Sequence, residues 1–350
     1  MSKQLLKVGH IHIWDRRNKG NDAITKSVRD MLSQEIKMPL EVEDFPIEIF
    51  QNLNDVNLKR LNDCDLVLVG GGGIYHHQLL PFDIKNIRKI KVPLIVFGAG
   101  YIREIGGQSI DDAGKESLLE LNDHAALSSV RDFKTMEFLS DLGVAQGKID
   151  IVGDPAIFLQ GSRNNDVKFD TGRIKIGLNI NYSNWPGFIK YEELIINSYN
   201  QVGNYFFKKF GAQIYYLKHH PDESGIIKKL DIENLEVVDL ETRSQKYAYA
   251  RLDLVLGMML HSAVLAFGAE TPFINLGYDI RNKSFGDFIG LPELVICANE
   301  LQENMLSGRM LDIFERREEY KKKIRLRKEE IFQSQTDFWG KINDMALDLK

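Results

Sequence analysis

The chain has 350 residues, 43% of them apolar, and a formal net charge of −5 at pH 7. That length holds two ordinary α/β domains, and the apolar fraction excludes wholesale disorder. A negative balance argues against a dedicated nucleic-acid binder, and no apolar run reaches the roughly 18–20 residues of a membrane span. The two cysteines, Cys64 and Cys297, form neither a disulfide framework nor a zinc pattern. A reducing, cytoplasmic setting is expected, because the first residues also lack a signal-peptide apolar region and cleavage site.

In chain order, Leu5 to Trp14 reads as a strand and Asn21 to Leu32 as a helix. Asp65 to Val69 is a strand that ends in Gly70-Gly71-Gly72-Gly73, and Pro93 to Phe97 is another that ends in Gly98-Ala99-Gly100. A helix over Leu118 to Leu127 leads to the short strand Ser128-Ser129-Val130. Asp132 to Leu142 returns as a helix closed by Gly143, and Ile149 to Val152 is a strand. The polar stretch Gln160 to Gly172 breaks the alternation. Strand–helix alternation then resumes with Ile174 to Ile180, Tyr191 to Phe210, Gln213 to Leu217 and Leu235 to Val238. The expected organisation is a domain over 1–160, a linker over 161–172, a second domain over 173–310 and a charged helical segment over 311–350. In that last segment Glu318 with Lys322, and Glu319 with Lys323, are spaced for pairs on a solvated face.

The segment Arg251 to Leu291 carries the densest signal. The apolar run Leu252 to Leu256 is a strand, Met259 to Gly268 a helix and Pro272 to Leu276 a second strand, which makes a βαβ unit. His261 then falls in the first helical turn, at the carboxyl edge of a parallel sheet. Ligands of open α/β folds bind at that edge, and helix N-termini favour anions. Arg131, between a strand end and a helix start, faces the same kind of edge, and its fork suits carboxylate or phosphate. Gly70 to Gly73 make neither a phosphate-binding Walker loop nor a dinucleotide fingerprint. They read as a loop whose backbone approaches a ligand, with Gly71, Gly72 and Gly73 as contacts. Gly20 and Asn21 lie in the turn Asn18-Lys19-Gly20-Asn21-Asp22 and are further loop contacts. His76 and His77 are adjacent, so one is expected to point away from the other. Lys218-His219-His220 places cations at another strand end, with Lys218 and His219 as candidates, and no third ligand completes a metal set.

These elements, in this order, resemble the polysaccharide pyruvyl transferase family. The resemblance rests on the Asn18 to Ile24 turn, the glycine run, Ser129-Val130-Arg131-Asp132 with Thr135 and Leu139, Gly153-Asp154-Pro155-Ala156, and Gly257, His261, Pro272, Tyr278-Asp279 and Phe285 to Leu291. It implies an α/β chain of two Rossmann-like domains facing across a cleft, as in B-type glycosyltransferases. It also implies transfer of a pyruvyl group from phosphoenolpyruvate to two hydroxyls of a sugar or lipid-linked glycan, as a ketal. Such a reaction needs no cofactor and no metal, no nucleic acid and no membrane span, although peripheral association with the inner membrane face stays open. His261 is the candidate acid–base residue. Arg131, Lys218, Arg281 and Lys283 are candidate anion contacts, and Asp154 would position Arg131. The family's arginine two residues before the histidine is Met259 here, and its lysine after Tyr-Asp is Arg281. Two rival readings stay open: a B-type glycosyltransferase using a nucleotide sugar, with Glu270 gripping the ribose, and a catalytically inactive glycan-binding homologue.

Overall fold

Apolar runs too short for helices pair best as parallel strands when helices can cover both sheet faces. The computed structural model, which describes residues 5–51, 53–163, 169, 172–181 and 186–349, builds this arrangement twice. The first half runs β1 (Leu6–His12), α1 (Lys19–Glu35), β2 (Leu40–Pro46), α2 (Asp55–Asn62), β3 (Leu66–Tyr75), α3 (Ile84–Ile87), β4 (Leu94–Tyr101), α4 (Asp112–His124), β5 (Leu127–Val130), α5 (Phe133–Asp141) and β6 (Ile149–Ile151). The second runs β7 (Lys175–Asn179), α6 (Pro186–Phe210), β8 (Gln213–Leu217), α7 (Ser224–Ile227), β9 (Leu235–Val238), α8 (Thr242–Tyr249), β10 (Leu254–Gly257), α9 (Leu260–Gly268), β11 (Phe273–Gly277), α10 (Ile280–Phe288), β12 (Val295–Cys297), α11 (Met305–Glu315) and α12 (Arg317–Asp348). Most of the expected linker, 164–168 and 170–171, lies outside the described residues.

Both six-stranded sheets are parallel, with orders β2-β1-β3-β4-β5-β6 and β12-β11-β10-β7-β8-β9. In each, the chain reverses its direction of strand addition once, between β1 and β3 and between β7 and β10. The crevice beyond such a reversal is where open α/β sheets bind ligands, because neighbouring loops diverge to opposite faces there.

Several elements differ from expectation. The glycine run is not a loop: it continues β3 as far as Tyr75 and is buried throughout. The edge strand β2 and the three-residue β12 are additional. The C-terminal helix is charged but not merely a solvated tail. Tyr320, Ile324, Ile331, Phe338, Trp339 and Ile342 form a buried stripe, and Trp339 packs on Phe97 of β4 with ring centroids 4.8 Å apart. Burying such aromatic area ties the last helix to the first sheet. On the polar side Glu319 pairs with Lys323 at 2.7 Å, while Glu318 takes Lys321 at 2.9 Å. No helix among the described residues is long and apolar enough to cross a membrane.

Candidate active site between the two sheet edges

The turn after β1 and the turn after β10 meet. Asn18 caps α1, its Oδ1 accepting from Gly20 N at 2.9 Å and Asn21 N at 3.4 Å. Gly20 therefore sits in the first turn of α1, against His261 in the first turn of α9. A methyl group at position 20 would lie 2.1 Å from His261 Nδ1, so only glycine admits the imidazole. Asn21 serves the cap through its backbone. Lys19, which sequence reasoning passed over, locks the same junction: its N–H donates to His219 O at 3.0 Å, and its Nζ reaches Lys218 O and Asp239 Oδ1, each at 2.6 Å.

Behind His261 lies a buried ion pair from the first sheet. Arg131 follows β5 and lies flat on Gly100, where a Cβ would fall 2.2 Å from Nε. Its Nε faces Asp132 Oδ2 and its Nη1 faces Asp154 Oδ2, both at 3.4 Å. Asp154 also caps the turn at Ala156, and its Oδ2 is 3.7 Å from His261 Nε2. It thus stands between the guanidinium and the imidazole. Burial raises the Asp154 pKa, against the pull of Arg131. Burial and the charges of Arg131 and Arg281 push His261 down to about 3, so the ring is neutral at pH 7.

Arg281 comes from the second sheet. Asp279 caps α10, accepting from Arg281 N and Nε at 2.7 Å each, and holds the guanidinium through Nη2 as well. Asp279, Tyr278 and Glu104 raise the Arg281 pKa despite its burial. The segment after β4 clasps this loop: Ile105 N donates to Tyr278 O at 3.0 Å and Ile280 N to Arg103 O at 3.1 Å. His76 and His77 do not diverge as expected. Their rings lie 4.2 Å apart, edge to face, near Glu104. His76, 3.7 Å from Glu104, holds that carboxyl down to about 2, against burial.

His219 is fully buried. Its Nε2 is 2.7 Å from Tyr249 Oη, and burial, Lys19 and His261 hold its pKa well below the ordinary value. Among the described residues, the buried atoms without a hydrogen-bond partner include Arg131 Nη2, His76 Nε2, His77 Nδ1, His219 Nδ1 and His261 Nε2. All five belong to residues at carboxyl ends of strands. Buried polar groups are nearly always satisfied, so these atoms are candidate contacts for a polar ligand.

The structure thus gathers Gly20, Arg131, His219, His261 and Arg281. It places the other candidates elsewhere. Lys218 Nζ pairs with Asp239 at 3.2 Å. Lys283 is exposed, two residues along α10 from Arg281; at about 100° per residue the two point to different sides. Gly71 and Gly72 admit Pro155 and Ile24, and Gly73 admits Ile102, with Arg281 Nη1 3.6 Å beyond. Each of these glycines leaves room for a side chain that a Cβ would meet. Met259 caps α9 with a buried side chain and donates its N–H to Asn179 Oδ1 at 3.2 Å. Glu270, the candidate ribose grip, is bound to Arg325 at 2.9 Å and Lys328 at 3.1 Å on α12.

The architecture is that of B-type glycosyltransferases. It is similar to UDP-GlcNAc 2-epimerase from Neisseria meningitidis bound to UDP-GlcNAc, with a TM-score of 0.57, 12% identity, and 95% of this chain and 100% of that chain covered. For the UDP-GlcNAc 2-epimerase of Methanocaldococcus jannaschii the TM-score is 0.54 at 12% identity, over 89% and 92% of the two chains. For the Anabaena protein HepE, solved with UDP and glucose, it is 0.55 at 14% identity, over 98% of each. No curated protein matches the sequence significantly. The family model described as polysaccharide pyruvyl transferase matches residues 12–280, a span that starts at the end of β1 and includes Gly20, Arg131, Asp154 and His261. By that match the chain belongs to the polysaccharide pyruvyl transferase family, a family of transferases.

Proposed function

We propose that this enzyme moves the pyruvyl group of phosphoenolpyruvate onto two hydroxyls of a glycan acceptor, forming a cyclic ketal during cell-surface polysaccharide synthesis. The observation that carries this reading is His261, a neutral buried imidazole with Nε2 unpartnered and two guanidiniums, Arg131 and Arg281, acting on it from opposite sheets. Phosphoenolpyruvate is a compact polyanion, and its carboxylate and phosphate suit two such forks. Burial is the main cause of the low His261 pKa, but the donor's negative charge would offset the added repulsion from Arg131 and Arg281 and so raise the ring's proton affinity as it binds.

The protonated ring then delivers that proton to the enol methylene, which makes C2 electrophilic. The neutral ring next accepts the proton of the attacking hydroxyl. Arg131 and Arg281 stabilise the phosphate as the C2–O bond breaks, and the second hydroxyl closes the ketal. Across the cycle one hydroxyl proton ends on the methyl group and the other leaves with phosphate. Asp154 keeps Arg131 and His261 in register. Arg281 keeps the charge of the family's lysine, whereas Met259 leaves the family's arginine position without a cation.

The reaction belongs in the cytoplasm, with no cofactor, and a lipid-linked acceptor would be met by peripheral contact with the inner membrane face. Structural neighbours solved with UDP raise a nucleotide-sugar donor as the rival, but the engagement of Glu270 with α12 counts against a ribose grip there. The test is phosphate release from phosphoenolpyruvate with a panel of glycan acceptors. Acceptor-dependent release is expected, reduced about 10²- to 10⁴-fold by His261→Ala. Absence of release with every acceptor would count against the donor.

A further inference from the structure

A second histidine cluster lies wholly on the first sheet. His10 and His12 occupy alternate positions of β1, so both side chains leave the same face, and Asp44 of β2 stands opposite His10 in register. His10 Nδ1 is 3.6 Å and His12 Nε2 3.2 Å from the same oxygen, Asp44 Oδ1. The other nitrogen of each ring is committed to a backbone carbonyl. His10 Nε2 is 2.8 Å from Gly70 O and His12 Nδ1 is 3.1 Å from Ile13 O. Carbonyl oxygens only accept, so both of those nitrogens carry protons. Thr25 Oγ1, 3.3 Å from His12 Nδ1, spends its own proton on Asn21 O at 3.0 Å and is a further acceptor there. In the neutral rings His10 Nδ1 and His12 Nε2 are therefore bare lone pairs, and both face a carboxylate oxygen.

Three acceptors turned toward one point repel one another unless a proton or a cation lies between them. His10 Nδ1 has no hydrogen-bond partner in a fully buried residue. Two imidazolium ions are a poor solution, because the rings are buried with centroids 4.7 Å apart. We propose that His10, His12 and Asp44 form a binding site for one divalent transition-metal ion of the zinc class, with a fourth position open. The nitrogen-to-oxygen separations bracket the about 3.3 Å edge of a tetrahedron with bonds of about 2.0–2.1 Å. Two imidazoles and one carboxylate select zinc, cobalt or nickel over magnesium or calcium. Carbonyl acceptors on the remote ring nitrogens are the outer partners that orient ligating histidines. Arg29 Nη2, 2.7 Å from Asp44 Oδ1, is the resident competitor for that oxygen. Through His10 the ion would hold the Gly70 carbonyl, at the head of the glycine run. The proposal does not rest on the pyruvyl-transfer reading.

The test uses the full chain without an affinity tag, stripped with chelator and titrated with Zn²⁺ and, in parallel, Co²⁺. About one ion per chain is expected, with a rise in melting temperature on zinc binding. The cobalt form should show the visible absorption of a four- or five-coordinate nitrogen–oxygen site without a thiolate charge-transfer band. Binding should vanish in Asp44→Asn and His12→Ala and persist when His76 and His77 are both changed to Ala. If either ligand variant fails to fold, the wild-type stoichiometry and cobalt spectrum decide. No stoichiometric ion, a six-coordinate spectrum, or an ion lost only with His76 and His77 would overturn the proposal; the first result would mean that Arg29 alone balances Asp44.

Discussion

The two sheet edges that meet at His261 are built from different materials. The first edge contributes space and permanent charge: glycines where α1, Pro155 and Arg131 press close, and a guanidinium held between two carboxylates. The second contributes groups whose protonation is tuned, with the His219 and His261 pKa values both depressed by burial and neighbouring cations. Arg281 is the exception on that side, fixed by Asp279. Neither edge holds both His261 and Arg131, so the proposed chemistry requires their closed apposition. Lys19, reaching from α1 to the carbonyl of Lys218, keeps them closed.

This division of labour can be broken at its strongest point first. Replacing Arg131 with Gln should lower kcat about 10²-fold or more, because it removes a donor aimed at developing charge. Arg131→Lys should recover little, since a point charge lacks the fork; steady-state phosphate release measures both. The two kinds of glycine sharpen the comparison next. Gly20→Ala drives a methyl into the His261 ring and should cost about 10²-fold in kcat by misplacing it. Gly72→Ala meets Ile24 at 2.8 Å with a φ of +90° and should lower the melting temperature while leaving kcat of the folded fraction nearly intact. Parallel melts and kinetics separate the outcomes.

A smaller effect follows from pH. The His261 pKa is about 3 in the fold against 6.5 ordinarily. Below about pH 6.5 the unfolded chain takes up a proton that the folded chain refuses, so this residue erodes stability as pH falls toward about 3. Denaturant melts should therefore lose less stability on acidification in His261→Gln than in wild type. Smallest of all, Lys283→Ala should change kcat by less than about twofold, as expected for an exposed charge outside the cleft.

The βαβ unit around His261 was legible because its signals are local: an apolar run, a glycine, a small-residue helix, then Pro272. β2 was not, since an edge strand reading Leu-Glu-Val-Glu-Asp-Phe-Pro is half exposed and carries the charges that protect edges. The glycine run reads as a loop because nothing local says that Ile24, Ile102 and Pro155 will press against it. Arg281 and Lys283 looked equivalent in sequence, although helical periodicity separates their faces. His76 and His77 face one carboxylate only because the segment after β4 brings Glu104 to them. His10 and His12 carried a readable sign, histidines at strand period, but their third partner comes from β2, thirty-two residues beyond His12.

The central claim, that the apposed edges bind phosphoenolpyruvate between Arg131 and Arg281, is tested most directly by thermal shift with phosphoenolpyruvate and with UDP-sugars. The account predicts that phosphoenolpyruvate raises the melting temperature of the wild type and that the shift disappears in Arg131→Gln and in Arg281→Gln. Stabilisation by a UDP-sugar with none from phosphoenolpyruvate would contradict it.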